Sequence, residues 1–257
     1  MGFKQLLAVA AAVVASLVVS AHGSDFPMYK LSLTWPSSLC IPRSSCKSPI
    51  PAAFTIHGLW PSCEDGTGVP PYNPCANKCF ANPTSPESIL ATLQPIISDL
   101  RRRWPNLYVG QSDEDFWKHE WSNHGMCSDH SQNPLGYFSE TLKLDEISKY
   151  DPLEALGVQP STTPYQIDTL LENVKRHVGF YPQISCSRPV SGSKQLYLKE
   201  IRYCFKRGTP ISVLQDCPDE MDNVCRSVDP LQRTVMFPHA TTAISGLNAT
   251  GEVLAFT

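Results

Sequence analysis

The 257-residue sequence has no excess of positive charge. Its 21 lysine and arginine residues stand against 24 acidic ones, which gives a net charge of −3. A protein that coats nucleic acid needs a basic face to release counterions, so a stoichiometric coat is disfavoured, whereas transient processing of a polyanion is compatible. Charged residues make up 18% and hydrophobic residues 42%, an ordinary globular composition that excludes long disorder, collagen and coiled coil.

Long apolar runs are missing except at the N-terminus. There, Leu6 to Val19 is almost entirely small or apolar and follows a short positively charged start. As a helix this run spans only about 21 Å, which is too short for a bilayer crossing. Ala21 and Gly23 occupy the −3 and −1 positions of a cleavage site. We interpret residues 1–23 as a secretory signal peptide, with an N-terminal membrane anchor as the alternative, and expect no membrane association after cleavage.

Motifs for metal binding and for serine hydrolysis are also missing. Cys75 and Cys79 have no second cysteine pair or Cys-His pair to complete a zinc site. His119-Glu120 begins like H-E-x-x-H, but the next histidine is His124, about 140° further round a helix, and this spacing rejects a zinc protease. No G-x-S-x-G elbow occurs, so a Ser-His-Asp hydrolase is poorly supported. The sequence therefore predicts no metal and no other cofactor.

Ten cysteines follow the predicted signal peptide. An even number in an exported chain indicates up to five disulfides, formed in an oxidising compartment. The cysteines are Cys40, Cys46, Cys63, Cys75, Cys79, Cys127, Cys186, Cys204, Cys217 and Cys225.

Periodicity predicts mixed helices and strands in one α+β domain, residues 24–238, without internal repeats. The predicted strands are Met28–Trp35, Ala53–His57 and Leu196–Phe205. The predicted helices are Ile89–Trp104, begun by a capping box at Thr84-Ser-Pro-Glu87 and split at Pro95, then Asp113–His124, Gly136–Lys149 and Pro164–Val178. Residues 239–257 are interpreted as a polar tail, which carries the only glycosylation sequon, at Asn248.

The candidate acid–base residues lie in two segments, FTIHGLWP at 54–61 and FWKHEWSNHGMC at 116–127. On a helix, Glu120 and His124 lie about 40° apart, and so do His119 and Asn123. Two imidazoles and a carboxylate on one face suit acid–base chemistry better than core packing. A single histidine is more often a surface or a satisfied core residue. Three histidines beside glutamate and tryptophan, with His57 in the first segment, favour a functional site.

These segments resemble the two active-site signatures of the ribonuclease T2 family, the secreted endoribonucleases of plants, fungi and animals. The first matches almost letter for letter and the second matches in its H-E-W-x-x-H-G-x-C frame, and both are highly specific. The likeness covers most of the mature chain, from Leu33-Thr-Trp35-Pro36 to the four C-terminal cysteines. It implies an α+β fold in which a central antiparallel sheet is packed with several helices and stapled by disulfides.

The resemblance also implies a role for each residue. His124 would be the general base that takes the proton of the ribose 2′-hydroxyl, and His57 the general acid that protonates the departing 5′-oxygen. His119 would bind the phosphate, Glu120 would stabilise the pentacovalent transition state, and Trp60 would stack on a base. The product would be a 2′,3′-cyclic phosphate, later opened to a 3′-phosphate. Histidines supply this chemistry without metal, and DNA, which lacks the 2′-hydroxyl, should be inert.

One residue departs from the family pattern. Relatives usually have lysine where this sequence has Asn123, a candidate substrate-binding residue. Asparagine offers only neutral hydrogen bonds, which are roughly half as strong as charge-assisted ones. Loss of one stabilising donor typically costs about 10²–10³ in rate, so we expect an active but slow enzyme.

The resemblance further implies a disulfide pattern. It would pair Cys40–Cys46, Cys75–Cys127, Cys186–Cys225 and Cys204–Cys217, with Cys63–Cys79 as an additional local staple. The Cys75–Cys127 bridge would fasten the loop after the first segment to the catalytic helix.

Three functional interpretations remain open. The first is a secreted or vacuolar ribonuclease that degrades RNA for nutrient recovery or defence, acting as a monomer. The second is a self-incompatibility ribonuclease with protein partners, which the acidic pI of about 6.2 disfavours because such relatives tend to be basic. The third is a non-catalytic storage or binding protein, favoured only by Asn123.

Overall fold

The computed structural model describes residues 26–41, 45–76, 79, 82–188 and 195–240. The predicted signal peptide, Asn248 and almost all of the predicted tail lie outside these residues. Seven strands run β1 Met28–Thr34, β2 Thr55–Ser62, β3 Ser161–Gln166, β4 Gln183–Ser187, β5 Leu196–Lys206, β6 Leu214–Gln215 and β7 Thr234–Phe237 within the described part.

Helices fill the segments between the strands of this described region. The α-helices are α1 Pro36–Leu39, α2 Ile89–Leu93, α3 Ile97–Arg103, α4 Asp113–Asn123, α5 Pro134–Asp145, α6 Pro152–Leu156, α7 Ile167–Val178 and α8 Asn223–Arg226. Short 3₁₀ turns occupy Pro86–Ser88, Gln94–Ile96, Gly125–Cys127, Ser148–Tyr150 and Pro230–Gln232. Among the described residues, no helix combines the length and the apolar character that a membrane crossing requires.

One sheet contains all these strands, in the order β2-β1-β5-β7-β3, with β4 and β6 also paired to β5. Every pairing is antiparallel except β5 with β7, which is parallel. The predicted α+β class is thus confirmed, with one parallel pair in a mostly antiparallel sheet. Strand β5 is the most constrained element, because it pairs with four other strands.

Strand β1 is buried on both faces, although an alternation of apolar and polar residues such as it has is typical of a half-buried strand. Apolar Tyr29, Leu31 and Leu33 alternate with polar Lys30, Ser32 and Thr34, and all six are buried. Polar groups without water need partners inside the protein. Ser32 accordingly donates from its hydroxyl to the buried Glu200 carboxylate at 3.1 Å, and Lys30 donates to Gln183 at 3.2 Å. This polar face of the sheet carries the candidate site.

Helix α4 begins at Asp113, as predicted, and two buried tryptophans anchor it. Ser112 accepts a hydrogen bond from the Asp115 backbone N–H, and the Asp115 carboxylate accepts one in return from the Ser112 N–H, which forms a capping box. The indole rings of Trp117 and Trp121 are fully buried. Their N–H groups donate to the carbonyls of Trp104 and Thr84, each at 2.8 Å. These two anchors fix which face of α4 points away from the core.

Three helix predictions need correction. The helix expected at Gly136–Lys149 begins at Pro134 and ends at Asp145, and a separate 3₁₀ turn occupies Ser148–Tyr150. The capping box expected at Thr84-Ser-Pro-Glu87 is absent, since Ser85 is the N-cap and its side chain makes no capping bond. Helix α7 begins at Ile167, and the preceding residues Ser161–Gln166 form β3 because they pair with β7. The split at Pro95 is confirmed, with a 3₁₀ turn between α2 and α3.

Two of the five expected disulfides are wrong. The structure contains Cys40–Cys46, Cys186–Cys225, Cys204–Cys217 and Cys79–Cys127, while Cys63 and Cys75 are unpaired. Cys79, not Cys75, reaches the end of α4, where it is 1% exposed. Cys75 lies on an exposed turn whose N–H donates to Asn73, and Cys63 begins a tight turn closed by Gly66. The expected fastening of the loop to the helix is therefore present, but through the neighbouring cysteine.

Candidate active site

His57 lies on the edge strand β2 and is held from behind by a buried carboxylate. Its Nδ1 is 2.8 Å from Oε1 of Glu200, whose side chain is completely buried on β5. Its backbone carbonyl accepts a hydrogen bond from the Trp104 indole at 2.8 Å. Burial alone would lower the pKa of His57, but the hydrogen bond and charge of Glu200, with the charge of Glu120, raise that pKa above its ordinary value.

Glu120 projects from α4 into the space between the two segments. Its Oε1 is 3.8 Å from Nε2 of His57, and its Oε2 accepts a hydrogen bond from the Trp60 indole at 3.0 Å. A Cβ at Gly58 would collide with both the Glu120 carboxylate and the Trp60 indole, so this contact requires glycine there. Burial raises the pKa of Glu120 to about 7, although the neighbouring His57 and the Trp60 hydrogen bond act to lower it.

His124 caps the C-terminal end of α4 and lies on the opposite side of Glu120. Its Nε2 is 3.9 Å from Glu120 Oε2, and its ring lies 5.3 Å from the Trp60 ring. Its Nδ1 is buried and has no hydrogen-bond partner in the described part of the chain. Burial, together with the positive charges of His57 and His119, lowers the pKa of His124 to about 3.

His119 and Asn123 interact with each other, one helical turn apart. The Asn123 amide nitrogen lies 2.9 Å from His119 Nε2 and donates to the His119 carbonyl at 3.0 Å. The predicted shared face of α4 is thus observed. The amide contacts the ring directly at the position where relatives usually have lysine.

A cavity of about 370 Å³ adjoins this cluster. His57 and His119 line it, together with Phe116, Tyr108 and Asn106. The Phe116 ring lies 5.9 Å from the His57 ring. The cavity has the aromatic walls that an unstacked nucleobase needs, beside two imidazoles.

Potential metal ligands cluster at one place in the described residues. There, the one cluster of potential ligands is Cys186, Asp222 and Cys225, and both of its cysteines are joined in a disulfide. The imidazoles of the site face Glu120, Glu200 and Asn123 and do not converge on one point.

The structure brings all six predicted site residues together, namely His57, Trp60, His119, Glu120, Asn123 and His124. It also adds three residues that sequence reasoning missed, Lys199, Glu200 and Arg202 on β5. Arg202 donates to Glu200 through Nε at 3.0 Å and lies 5.1 Å from the Trp60 ring. The sequence contains a sign of these residues, because the charged Glu200 and Arg202 interrupt a strand whose other residues are mostly apolar.

Comparisons with known proteins agree with this geometry. A model of the ribonuclease T2 family matches residues 26–217. Ribonuclease 1 of Arabidopsis thaliana is 34% identical over 207 residues, which cover 77% of this chain and 83% of that protein. The solved structure of ribonuclease MC1 from bitter gourd seeds has a TM-score of 0.64 at 25% identity and covers 82% of this chain and 100% of its own. RNase NT, solved in complex with 5′-AMP, has a TM-score of 0.62 at 25% identity, with coverage of 84% and 99%. The chain therefore belongs to the ribonuclease T2 family and is a ribonuclease.

Proposed function

We propose that the protein cleaves single-stranded RNA through attack of the ribose 2′-hydroxyl on the adjacent phosphorus. This step forms a 2′,3′-cyclic phosphate, which water later opens to a 3′-phosphate. The observation that carries the proposal is the different surroundings of the two imidazoles: Nδ1 of His57 lies 2.8 Å from the buried Glu200 carboxylate, whereas Nδ1 of His124 has no partner among the described residues. In agreement with this geometry, the pKa is raised for His57 and lowered for His124. Titratable pairs whose surroundings separate their pKa values divide naturally into an acid and a base.

His124 is the general base in this proposal. With a pKa of about 3 it is neutral at any physiological pH, so a ring nitrogen is free to accept the 2′-hydroxyl proton.

His57 is the general acid. Glu200 is a positioning residue that accepts from Nδ1–H, so that Nε2 points towards the reacting phosphate. The negative charge of Glu200 favours the imidazolium form, which donates its Nε2 proton to the departing 5′-oxygen.

The phosphorane is stabilised by hydrogen bonds with little fixed charge. Glu120, with a pKa of about 7, holds a proton in a substantial fraction of molecules and can donate to a phosphoryl oxygen. His119 binds the phosphate, and Asn123 contributes a neutral amide where a lysine would supply a cation. Trp60 keeps Glu120 in place, and its partly exposed ring offers a stacking surface for a base.

The test is cleavage of RNA and of the matching DNA by the oxidised mature chain in EDTA. We expect cyclic-phosphate products from RNA and none from DNA. His57→Gln and His124→Gln should each lower kcat by about 10²–10⁴, the usual contribution of one acid–base group. His130→Gln is the matched control, since His130 bonds Glu140 outside the site. Dependence on added metal, or a parent protein that is folded and inactive from pH 4 to 8, would refute the proposal.

We also propose that the protein enters the secretory route and acts there as a monomer, either outside the cell or in a vacuole. Four disulfides support an oxidising compartment. The N-terminal apolar run supports cleavage after Gly23. N-terminal sequencing of the protein recovered from medium or vacuole should begin at Ser24, and a retained run would restore the membrane-anchor alternative.

A further inference from the structure

Three cationic side chains converge on the single buried carboxylate of Glu200. His57 Nδ1 and Lys199 Nζ lie 2.8 and 3.5 Å from the same oxygen, Oε1, while Arg202 binds Oε2. With His57 protonated, one negative charge meets three positive ones. This cluster therefore carries a net positive charge beside the cavity, although the protein as a whole is acidic.

Lys199 is the member of the cluster that has donors left for a ligand. The side chain of Arg202 is 18% exposed, and its guanidinium donates hydrogen bonds to Glu200 and Gln183, whereas the side chain of Lys199 is 30% exposed. Of the lining residues of the 370 Å³ cavity in the described chain, Lys199 is the only lysine or arginine. Asp115 also lines this cavity, but its carboxylate is engaged by the N–H and hydroxyl of Ser112.

The position of Lys199 relative to His57 defines which phosphate it can reach. Nε2 of His57 faces Glu120 and the reacting centre, while Nδ1 faces Glu200 and Lys199. The ammonium thus lies behind the general acid, on the cavity side. A leaving nucleoside that is held by His57 and places its base in the cavity would lie beside this ammonium, which lines the same cavity.

We propose that Lys199 binds the phosphate on the 3′ side of the leaving nucleoside. The inference rests on the proposed ribonuclease mechanism and adds a substrate-binding residue to it. An ammonium ion suits this role because it is a compact point charge on a flexible stem. The enzyme would accordingly prefer substrates that continue beyond the leaving nucleoside, as an endonuclease requires.

The experiment compares two substrates that differ only in this phosphate, a dinucleoside monophosphate and the same molecule with a 3′-terminal phosphate. For the parent protein we expect kcat/KM to be about five- to tenfold higher with the added phosphate, mainly through KM. Lys199→Gln, which keeps most of the side-chain stem, should abolish the preference, and Lys199→Arg should retain it.

Lys206→Gln is the matched control, because Lys206 is an exposed lysine on the same strand, about 23 Å away along β5. It removes the same charge and should leave the preference intact. Equal cleavage of both substrates by the parent overturns the inference while the proposed mechanism stands. An equal loss on both substrates in Lys199→Gln also overturns it, since Lys199 would then act only through His57. No cleavage of either substrate by folded parent protein overturns both proposals.

Discussion

Replacing Glu200 by glutamine tests the assignment of the acid most directly. The amide oxygen can still accept from Nδ1–H of His57, now 2.8 Å from Oε1, but the negative charge is lost. Because burial by itself lowers the pKa of His57, that pKa should fall once the charge is gone. The acid must be protonated to act, so the alkaline limb of kcat/KM should move to lower pH. A hydrogen bond to a charged group contributes about 1.5–3 kcal/mol and a neutral one about 0.5–1.5 kcal/mol, so the difference of roughly 1–1.5 kcal/mol predicts a loss of about 5- to 10-fold above neutral pH.

The assay is kcat/KM on a dinucleotide from pH 4 to 9, with thermal unfolding of each variant. Glu140→Gln is the control, since Glu140 also binds a histidine, His130 at 2.5 Å, but lies outside the site. Glu200→Gln also leaves Arg202 without its carboxylate, which lowers stability. A smaller fraction of folded protein would lower kcat/KM by the same factor at every pH and would not shift the alkaline limb. An unshifted alkaline limb in folded Glu200→Gln would refute the role given to Glu200.

Three further results are expected. Asn123→Lys should raise the single-turnover rate at least about tenfold by adding a cation, and a change in KM alone would contradict this reasoning. Cys79→Ser should lower the free energy of unfolding in urea by about 2–4 kcal/mol while Cys75→Ser changes it little, and the reverse result would restore the pairing first expected. Glu120→Gln should lower activity yet raise the free energy of unfolding at pH 8 by up to about 3 kcal/mol, with little change at pH 4. Below pH 4.5 the Glu120 carboxyl is protonated in both the folded and the unfolded state, so its raised pKa does not affect stability. Above pH 7 the carboxyl is ionised in both states, but only the folded state buries the charge, which lowers the free energy of unfolding. Unchanged stability of Glu120→Gln at pH 8 would contradict this prediction.

Much of the site was predictable because it lies on one helix. The periodicity of α4 places His119, Glu120 and Asn123 on one face, and Ser112 shows where the helix begins. Such local geometry depends on neighbours within a few residues. The link from this helix to His57 came from the family resemblance, since spacing alone does not pair two distant segments.

Long-range contacts were the part that the sequence did not reveal. Glu200 approaches His57 only because β5 and β2 both pair with β1, and no local pattern encodes that arrangement. The choice between Cys75 and Cys79 likewise depends on the path of a loop. Strand β2 extends to Ser62 through Pro61 because it is an edge strand, where a missing N–H is tolerated.

In the proposed mechanism, the surroundings of one ring nitrogen in each histidine distinguish the general acid from the general base. The side chains of His57 and His124 are similarly enclosed, 32% and 23% exposed, and burial lowers the pKa of both. The difference is at Nδ1, which meets Glu200 in His57 and meets no partner in His124. Because Glu200 belongs to the most extensively paired strand and His124 to a helix end, the sheet determines in the proposed mechanism which histidine acts as the acid. An acceptor introduced beside Nδ1 of His124 should therefore raise the pKa of that ring and move the acid limb of kcat/KM to higher pH, because the base must be neutral to act.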